Sequence, residues 1–156
     1  MNIYTHFLFP FVIASVLAKF NIISWKLAFV CGLIGMFVDV DHYIEQIIHS
    51  KINRFSLKSA WNNAIRFHRF NQRSFIHYGI GALILTFIFL ILAFFSWRIA
   101  LISAIGYYSH LLLDYTSFKR EKVIRWKLGG LYMKESVIEL LLDLILILIL
   151  VFVIYL

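Results

Sequence analysis

Five apolar segments, each long enough or nearly long enough to cross a lipid bilayer, dominate this chain of 156 residues. They cover residues 3–20, 26–42, 75–95, 99–118 and 136–155. A helix needs about 20 apolar residues to cross the hydrocarbon core. Because backbone polar groups must pair with each other inside the bilayer, such segments fold as helices. The sequence therefore predicts an all-α, polytopic membrane bundle of about five transmembrane helices.

The composition excludes an ordinary soluble domain. Of all residues, 62% are hydrophobic and only 15% are charged, and the mean hydropathy is +0.87. Soluble domains carry about 25% charged residues. The connecting segments are too short for a second domain, so we expect residues 1–156 to form a single integral membrane domain. The first apolar run has no basic start or Ala-x-Ala cleavage site, which predicts a retained span and not a signal peptide.

Positive charge is concentrated in two loops. Six of the 15 basic residues lie between the second and third predicted spans, and six more lie between the fourth and fifth. Only Lys19, Lys26 and Arg98 fall on the opposite side. The positive-inside rule therefore places the N-terminus and both long loops in the cytoplasm of a multi-pass protein of the cell (inner) membrane.

The loop 50–74 has its own pattern, with apolar and basic residues on different faces of a predicted helix for which Ser56 is a suitable N-cap. A basic amphipathic helix of this kind lies at the membrane surface and is attracted to anionic lipid. The alternative is that the charge only sets topology. The sequence leaves both interpretations open.

Histidine and aspartate side chains gather at one end of the predicted spans. The residues concerned are His6, Asp39, Asp41, His42, His77, His110 and Asp114. Ionisable groups near a membrane are costly to desolvate, so a cluster of them indicates a functional site. Imidazole and carboxylate ligands suit zinc, manganese or iron. The pattern thus predicts a divalent metal centre of one or two ions, with zinc preferred over manganese or iron.

Two motifs carry most of this hypothesis. His110 and Asp114 are four residues apart and so share one helical face. Asp39 and Asp41, next to His42, would repel each other near a membrane unless a cation lay between them or a basic residue, Arg69 or Arg73, paired with them. The plainer interpretations are a solvated helix end for Asp39–His42 and hydrogen-bonded packing for His6 and His77.

The order of these motifs, with Arg73-x-x-x-His77 before the third span and Thr116 after Asp114, resembles the LexA-binding, inner-membrane-associated hydrolase family. Its members are also described as membrane-bound metal-dependent hydrolases. The resemblance runs from about residue 5 to residue 116. It implies a metal-dependent hydrolytic site whose ligands are His6, Asp39, His77, His110 and Asp114, with Asp41 or His42 in support.

The chain departs from the family pattern at two places. Val38 stands where the family usually has proline, and Arg73-Ser-Phe-Ile-His77 replaces Arg-Gly-x-Thr-His. The spacing of Arg73 and His77 is kept, so the expected ligand set is unchanged.

A hydrolytic mechanism follows as an expectation. Metal lowers the pKa of bound water to about 7 and polarises a phosphoryl oxygen. Asp41 or His42 would accept the proton as general base. Arg69 and Arg73 would bind phosphate, and Arg73 is also a candidate catalytic residue. The expected substrate is a phosphoester or pyrophosphate of a membrane lipid, cleaved at the cytoplasmic interface.

Two other classes of function remain open. A metal or proton transporter would use the same ligands, with Asp143 continuing the path. A non-catalytic membrane adaptor would recruit a partner through the basic loops and would need no metal. Nucleic-acid binding is not predicted, because topology explains the basic charge. Glu139 and Asp143 are expected to support the site, to carry protons or to pair with a basic residue.

Overall fold

The structure is a computed structural model that describes residues 3–62, 75–116 and 123–155. Helices account for most of these residues, and the other regular elements are a 3₁₀ turn and a two-stranded sheet. The elements are α1 (Ile3–Lys19), α2 (Trp25–Phe37), α3 (Val40–His49), α4 (Leu57–Asn62), the 3₁₀ turn (Phe75–His77), α5 (Gly79–Tyr115), β1 (Val123–Leu128), β2 (Leu131–Ser136) and α6 (Val137–Tyr155).

Four of the described helices are apolar, fewer than the five predicted spans. By length and composition, α5 and α6 are each sufficient to cross a membrane, whereas α1 and α2 are apolar but shorter. The third and fourth predicted spans, 75–95 and 99–118, fall for the most part in one element, α5, a helix of 37 residues that runs from Gly79 to Tyr115.

A bend at Ser96 divides α5 into two arms. Ser96 has non-helical angles (φ −158°, ψ 96°). The arms lie side by side, because the Phe89 and Tyr107 rings are 6.0 Å apart and the Thr86 and Tyr108 hydroxyls are hydrogen bonded. A straight helix of this length would extend about 55 Å, well beyond the roughly 30 Å hydrocarbon core. The bend therefore returns the second arm, antiparallel, to the end of the bundle where the first began.

Local hydrogen bonds explain the tight turn between α1 and α2. Asn21 adopts a left-handed conformation (φ 58°) just past α1. The amide of Ile22 donates to the Leu17 carbonyl, and that of Asn21 donates to Ala18. This pattern is a Schellman ending, in which Asn is one of the few residues that tolerate the left-handed position. Ser24 then caps α2 by accepting from the Leu27 amide.

The second predicted span ends earlier than expected. The sequence predicts one helix over 26–42, but α2 ends at Phe37 and α3 begins at Val40. Asp39 occupies the N-cap position of α3, although its side chain makes no capping hydrogen bond. Aspartate competes with helical backbone bonding and favours such positions. The break therefore separates Asp39, in the junction, from Asp41 and His42, which belong to α3.

Glycines bring α1, α2 and the second arm of α5 into close contact. A β-carbon at Gly35 would lie 2.5 Å from the His6 carbonyl oxygen and 2.6 Å from Cγ of Pro10. One at Gly106 would lie 2.9 Å from the Cys31 carbonyl oxygen. Small residues of this kind let helices approach closely in lipid. The core beside this contact comprises Ala14, Ala18, Ile23, Ala28, Cys31 and Ile102.

A β-hairpin corrects the all-α prediction, which is confirmed only as a predominantly helical fold. Strands β1 and β2 pair antiparallel, with Val123 opposite Ser136 and Leu128 opposite Leu131. Gly129 and Gly130 have φ values of 56° and 84°. Positive φ at both central residues is what a type I′ hairpin turn requires, and Gly-Gly supplies it without strain.

The hairpin tip contacts α4. The side-chain amide of Asn62 donates to the Gly130 carbonyl at 3.3 Å. α4 itself begins where predicted, because Ser56 accepts from the Ser59 amide and so acts as its N-cap. The remainder of the predicted amphipathic helix lies outside the described residues.

Candidate metal centre

Three buried histidines from separate parts of the chain meet at one end of the bundle. His6 lies in the second turn of α1, His77 ends the 3₁₀ turn, and His110 lies in the last two turns of α5. Their exposed fractions are 1%, 5% and 0%. The Nε2 atoms of His77 and His110 are 3.1 Å apart, and the rings of His6 and His110 stack with centroids 4.1 Å apart.

Two carboxylates connect these imidazoles. Asp114 places Oδ1 3.4 Å from Nε2 of His6 and Oδ2 3.5 Å from Nε2 of His77. Its Oδ2 also lies 3.6 Å from Nε2 of His110, one helical turn away. Asp39 places Oδ1 3.5 Å from His110 and Oδ2 3.9 Å from His6. Each carboxylate thus contacts more than one ring nitrogen.

Burial differs between the two kinds of side chain. The histidines are almost completely enclosed, whereas the side chains of Asp39 and Asp114 are 25% and 23% exposed. The cluster therefore opens outward on its carboxylate side, where a small molecule would approach.

The Gly35 carbonyl orients the His110 ring. Nδ1 of His110 lies 2.9 Å from this oxygen. Because a carbonyl oxygen only accepts, Nδ1 must be the donor and carry the proton. In neutral His110 the lone pair is then on Nε2, the atom that faces Asp39, Asp114 and His77. A hydrogen bond of this type fixes the tautomer and direction of metal-binding histidines.

Pro10 shapes the helix turn that carries His6. Proline has no amide hydrogen, so the carbonyl of His6, four residues earlier, lacks its helical donor. That carbonyl faces the position where Gly35 has no side chain. Pro10 itself is fully buried. The α1–α2 contact thus places His6 and the His110-orienting carbonyl of Gly35 next to each other.

The donor set fits a divalent metal. Two subsets, His6–Asp39–His110 and His77–His110–Asp114, each have their ligand atoms within 4.8 Å of one another. Most of the nitrogen–oxygen separations in the cluster, 3.4–3.9 Å, are longer than good hydrogen bonds. Ligands at about 2.0–2.1 Å from a tetrahedral zinc ion lie roughly 3.3–3.4 Å from each other. The spacing is therefore closer to that of ligands around an ion than to that of direct hydrogen bonds.

The structure gathers all five residues expected to bind metal: His6, Asp39, His77, His110 and Asp114. Asp41 and His42 lie in the first turn of α3, and their side chains are outside the described part of the chain. Arg69 and Arg73 lie in the segment 63–74, which is also outside it. The predicted base and phosphate-binding residues therefore stay predictions.

Sequence reasoning missed the orienting role of Gly35. Gly35 is detectable as a small residue in an apolar segment, but its hydrogen bond to a residue 75 positions away is a tertiary contact. Pro10 is a stronger sequence signal for an unusual backbone at His6. It lies four residues after His6 and so removes the amide that would bond the His6 carbonyl.

A second polar group joins α6 to α1 beside the centre. The Thr5 hydroxyl lies 3.3 Å from Oε1 of Glu139 and 3.1 Å from Oδ2 of Asp143. Glu139 also accepts from the Ser136 amide, while Ser136 Oγ accepts from the Glu139 amide. This reciprocal pair is a capping box. Ser136 and Glu139 therefore cap the start of α6, and Glu139 together with Asp143 docks this helix on α1.

Comparison with known proteins agrees with this architecture. Residues 1–121 match the profile of a family described as YdjM inner membrane protein. The matched region contains all five residues of the cluster and excludes the hairpin and α6. No curated protein and no solved structure matches the chain. The match is consistent with the inner-membrane-associated family that the motifs resemble, and the apolar helices agree with a membrane location. The chain belongs to the YdjM inner membrane protein family.

Proposed function

We propose that this protein is a membrane-embedded, metal-dependent hydrolase that cleaves a phosphoester or pyrophosphate of a lipid headgroup. The observation that carries the proposal is the cluster itself, in which three enclosed imidazoles meet two carboxylates that are partly exposed at the end of a membrane bundle. Buried imidazoles give tight, oriented ligands, and the exposed carboxylate side leaves room for water and substrate.

We further propose that a single ion occupies the centre, with zinc preferred over manganese or iron. Both candidate ligand subsets include His110. Nδ1 of His110 already donates to the Gly35 carbonyl, so the residue has only one nitrogen, Nε2, left for a metal. One lone pair binds one ion, so the two subsets compete for the same nitrogen. A second ion would need a bridge through Asp39 or Asp114 instead.

Each residue of the centre has a distinct proposed role in hydrolysis. A divalent ion held there would supply Lewis acidity, which lowers the pKa of bound water and polarises a phosphoryl oxygen. His6, His77 and His110 would bind the ion. The hydrogen bond from His110 to the Gly35 carbonyl fixes the direction of the His110 ring. Asp39 and Asp114, which reach the exposed side, would orient water there. Asp41 or His42 remains the proposed base, and Arg69 and Arg73 remain the proposed phosphate-binding groups.

The membrane arrangement is part of the proposal. Each arm of α5 would cross the bilayer once, so that with α1, α2 and α6 the chain crosses five times. The distribution of basic residues supports a cytoplasmic position for the N-terminus and the cluster. A lipid tail would lie among the helices while its headgroup reached Asp39 and Asp114, so that no soluble domain is needed for this substrate.

The test uses the full chain in lipid nanodiscs, loaded with zinc or manganese. Metal content is measured by elemental mass spectrometry, and phosphate release is screened over lipid phosphoesters and pyrophosphates. We expect bound metal and turnover in the unmodified protein, and loss of both in His110→Ala and Asp114→Ala. His49→Ala is the matched control, because His49 is exposed on α3 and belongs to neither ligand subset.

The outcomes separate the rival classes. Bound metal without hydrolysis of any lipid phosphate would contradict the hydrolase proposal, and exchange of that metal across a sealed vesicle would identify a transporter. The Thr5–Glu139–Asp143 group, which continues the polar residues along α6, is the observation that favours that second candidate. No bound metal after reconstitution would leave the adaptor role.

A further inference from the structure

Among the described side chains of helix α3, several large apolar ones face outward, whereas the polar Gln46 faces inward. Val40, Ile44 and Ile48 recur every four residues and so share one face. They are 41%, 51% and 58% exposed. Gln46, on another face, is 1% exposed and donates to the Asn53 carbonyl and to Ser59 Oγ. A helix on the surface of a water-soluble protein has the opposite arrangement.

The segment that follows α3 continues the same pattern. Ile52, Phe55 and Leu57 are each at least 70% exposed. Hydrogen bonds from side chains to backbone carbonyls hold this segment against α3, because the Tyr43 hydroxyl donates to the Phe55 carbonyl and the Arg54 guanidinium donates to the Ile47 carbonyl. The apolar side chains are therefore displayed on an ordered surface, formed by residues 40–58, which we call the α3 surface.

Exposed cations lie among these apolar residues. Lys51, Arg54 and Lys58 are all exposed. None of the three forms an ion pair with a carboxylate whose side chain the structure describes. Apolar side chains interleaved with exposed cations are typical of segments that lie in the headgroup region of an anionic bilayer.

We propose that the α3 surface is inserted in the membrane interface, with Val40, Ile44 and Ile48 among the acyl chains. Lys51, Arg54 and Lys58 then bind the phosphates of anionic phospholipids. Continuity with the bundle supports lipid as the surrounding of this surface. Helix α3 begins directly after α2, whose Phe37 is 54% exposed and lies in an apolar helix. The inference concerns membrane placement and is independent of whether the metal centre hydrolyses anything.

The placement has a consequence for the centre. Asp39 is the N-cap residue of α3 and also contacts His6 and His110. Insertion of α3 at a fixed depth would therefore hold the Asp39 carboxylate at the level of the lipid headgroups. The partly exposed side of the centre would face the headgroup layer and not bulk water.

Depth-dependent quenching tests the insertion. Variants that each add one cysteine, Ile44→Cys and Ile48→Cys, are labelled with bimane in nanodiscs that contain brominated phospholipid, and His49→Cys is the matched control on the same helix. Cys31 is fully buried, so the native background is retained and labelled wild type is the blank. We expect brominated lipid to quench the first two labels strongly and aqueous iodide to quench the control.

Two results would overturn the insertion. Iodide quenching of the Ile44→Cys label as strong as that of His49→Cys would place the face in water. Protection from both quenchers would mean that protein, from a second copy or another partner, covers it.

A second experiment tests the cations. Retention of phosphatidylglycerol over phosphatidylcholine is measured by native mass spectrometry for Lys51→Gln, Arg54→Gln and Lys58→Gln. We expect each to weaken the preference by about fivefold at low ionic strength. Arg98→Gln, which removes a cation at the opposite end of the bundle, should leave it unchanged. An unaltered preference in all three variants would contradict lipid binding by these cations.

Discussion

His77 and His110 are 33 residues apart in sequence, yet their Nε2 atoms lie 3.1 Å apart. The bend at Ser96 makes this possible, because it returns the second arm of α5 alongside the first. The Tyr107 hydroxyl reinforces the arrangement by donating to the Ile76 carbonyl at 2.6 Å, directly before His77. The 3₁₀ turn that holds His77 is thereby fastened to the arm that carries His110.

The first prediction concerns metal stoichiometry. We expect one ion per chain, and we expect His110→Ala to abolish binding, because His110 belongs to both ligand subsets. His77→Ala removes a ligand from only one subset, so it should weaken affinity while leaving some binding. Titration with elemental mass spectrometry measures both. Two equivalents in the unmodified protein, with one retained in His110→Ala, would contradict the shared-nitrogen argument.

The second prediction concerns Gly35. In Gly35→Ala the new methyl group would meet the His6 carbonyl at 2.5 Å and Pro10 at 2.6 Å, so α1 and α2 must separate. Overpacking of this kind costs about 1–3 kcal/mol of unfolding free energy. Metal affinity should fall as well, because the Gly35 carbonyl moves relative to Nδ1 of His110.

Gly79→Ala is the control for that experiment, since nothing lies within 4 Å of a β-carbon built there. Thermal unfolding in detergent and metal titration compare the two variants. A Gly35→Ala protein as stable as Gly79→Ala would show that the close α1–α2 contact is wrong.

The third prediction concerns the docking of α6. Thr5→Val keeps the shape of the side chain but removes the hydroxyl that contacts Glu139 and Asp143. Loss of a hydrogen bond to a buried carboxylate costs about 1–3 kcal/mol. We expect a lower unfolding temperature and faster proteolysis of the C-terminal segment.

Ser15→Ala is the matched control on the same helix. The Ser15 hydroxyl is also buried, but it donates only to the Phe11 carbonyl of its own helix at 2.7 Å. Its loss should have the smaller effect. Equal effects of the two variants would argue against the α1–α6 contact.

The fourth prediction concerns Cys31, the single cysteine of the chain. Its side chain is fully buried in the core beside Ile102, whose carbonyl accepts from the thiol at 3.3 Å. Thiol reagents need an accessible thiolate. We expect no maleimide labelling of the folded protein in detergent and one label per chain after denaturation. Rapid labelling under native conditions would show that the α2–α5 interface is open.

Hydrophobic segments made much of the fold predictable. The long apolar segments predicted α1, α2, both arms of α5, and α6. A membrane helix can be recognised from the length and composition of one continuous segment. The break before α3 was harder to predict, because Val38 and Val40 continue the apolar pattern across it. The hairpin had a local signal that was overlooked, namely Gly129-Gly130 between two short apolar-basic segments.

The candidate centre divides in the same way. His110 and Asp114 were predictable as a pair, because four residues bring two side chains to one helical face. His6, Asp39 and His77 could be assigned only to the same end of the bundle. Their actual contacts depend on the bend at Ser96 and on how closely Gly35 lets α1 approach α2.

The sequence by itself determined that this chain is a membrane protein and which polar residues must share one end of it, because both follow from hydropathy and helix direction. Only the tertiary structure decided that Nδ1 of His110 donates to Gly35 and leaves Nε2 for a ligand. Only it showed that α3 turns its apolar face outward. Both depend on distances between residues far apart in the chain, which helix periodicity does not encode.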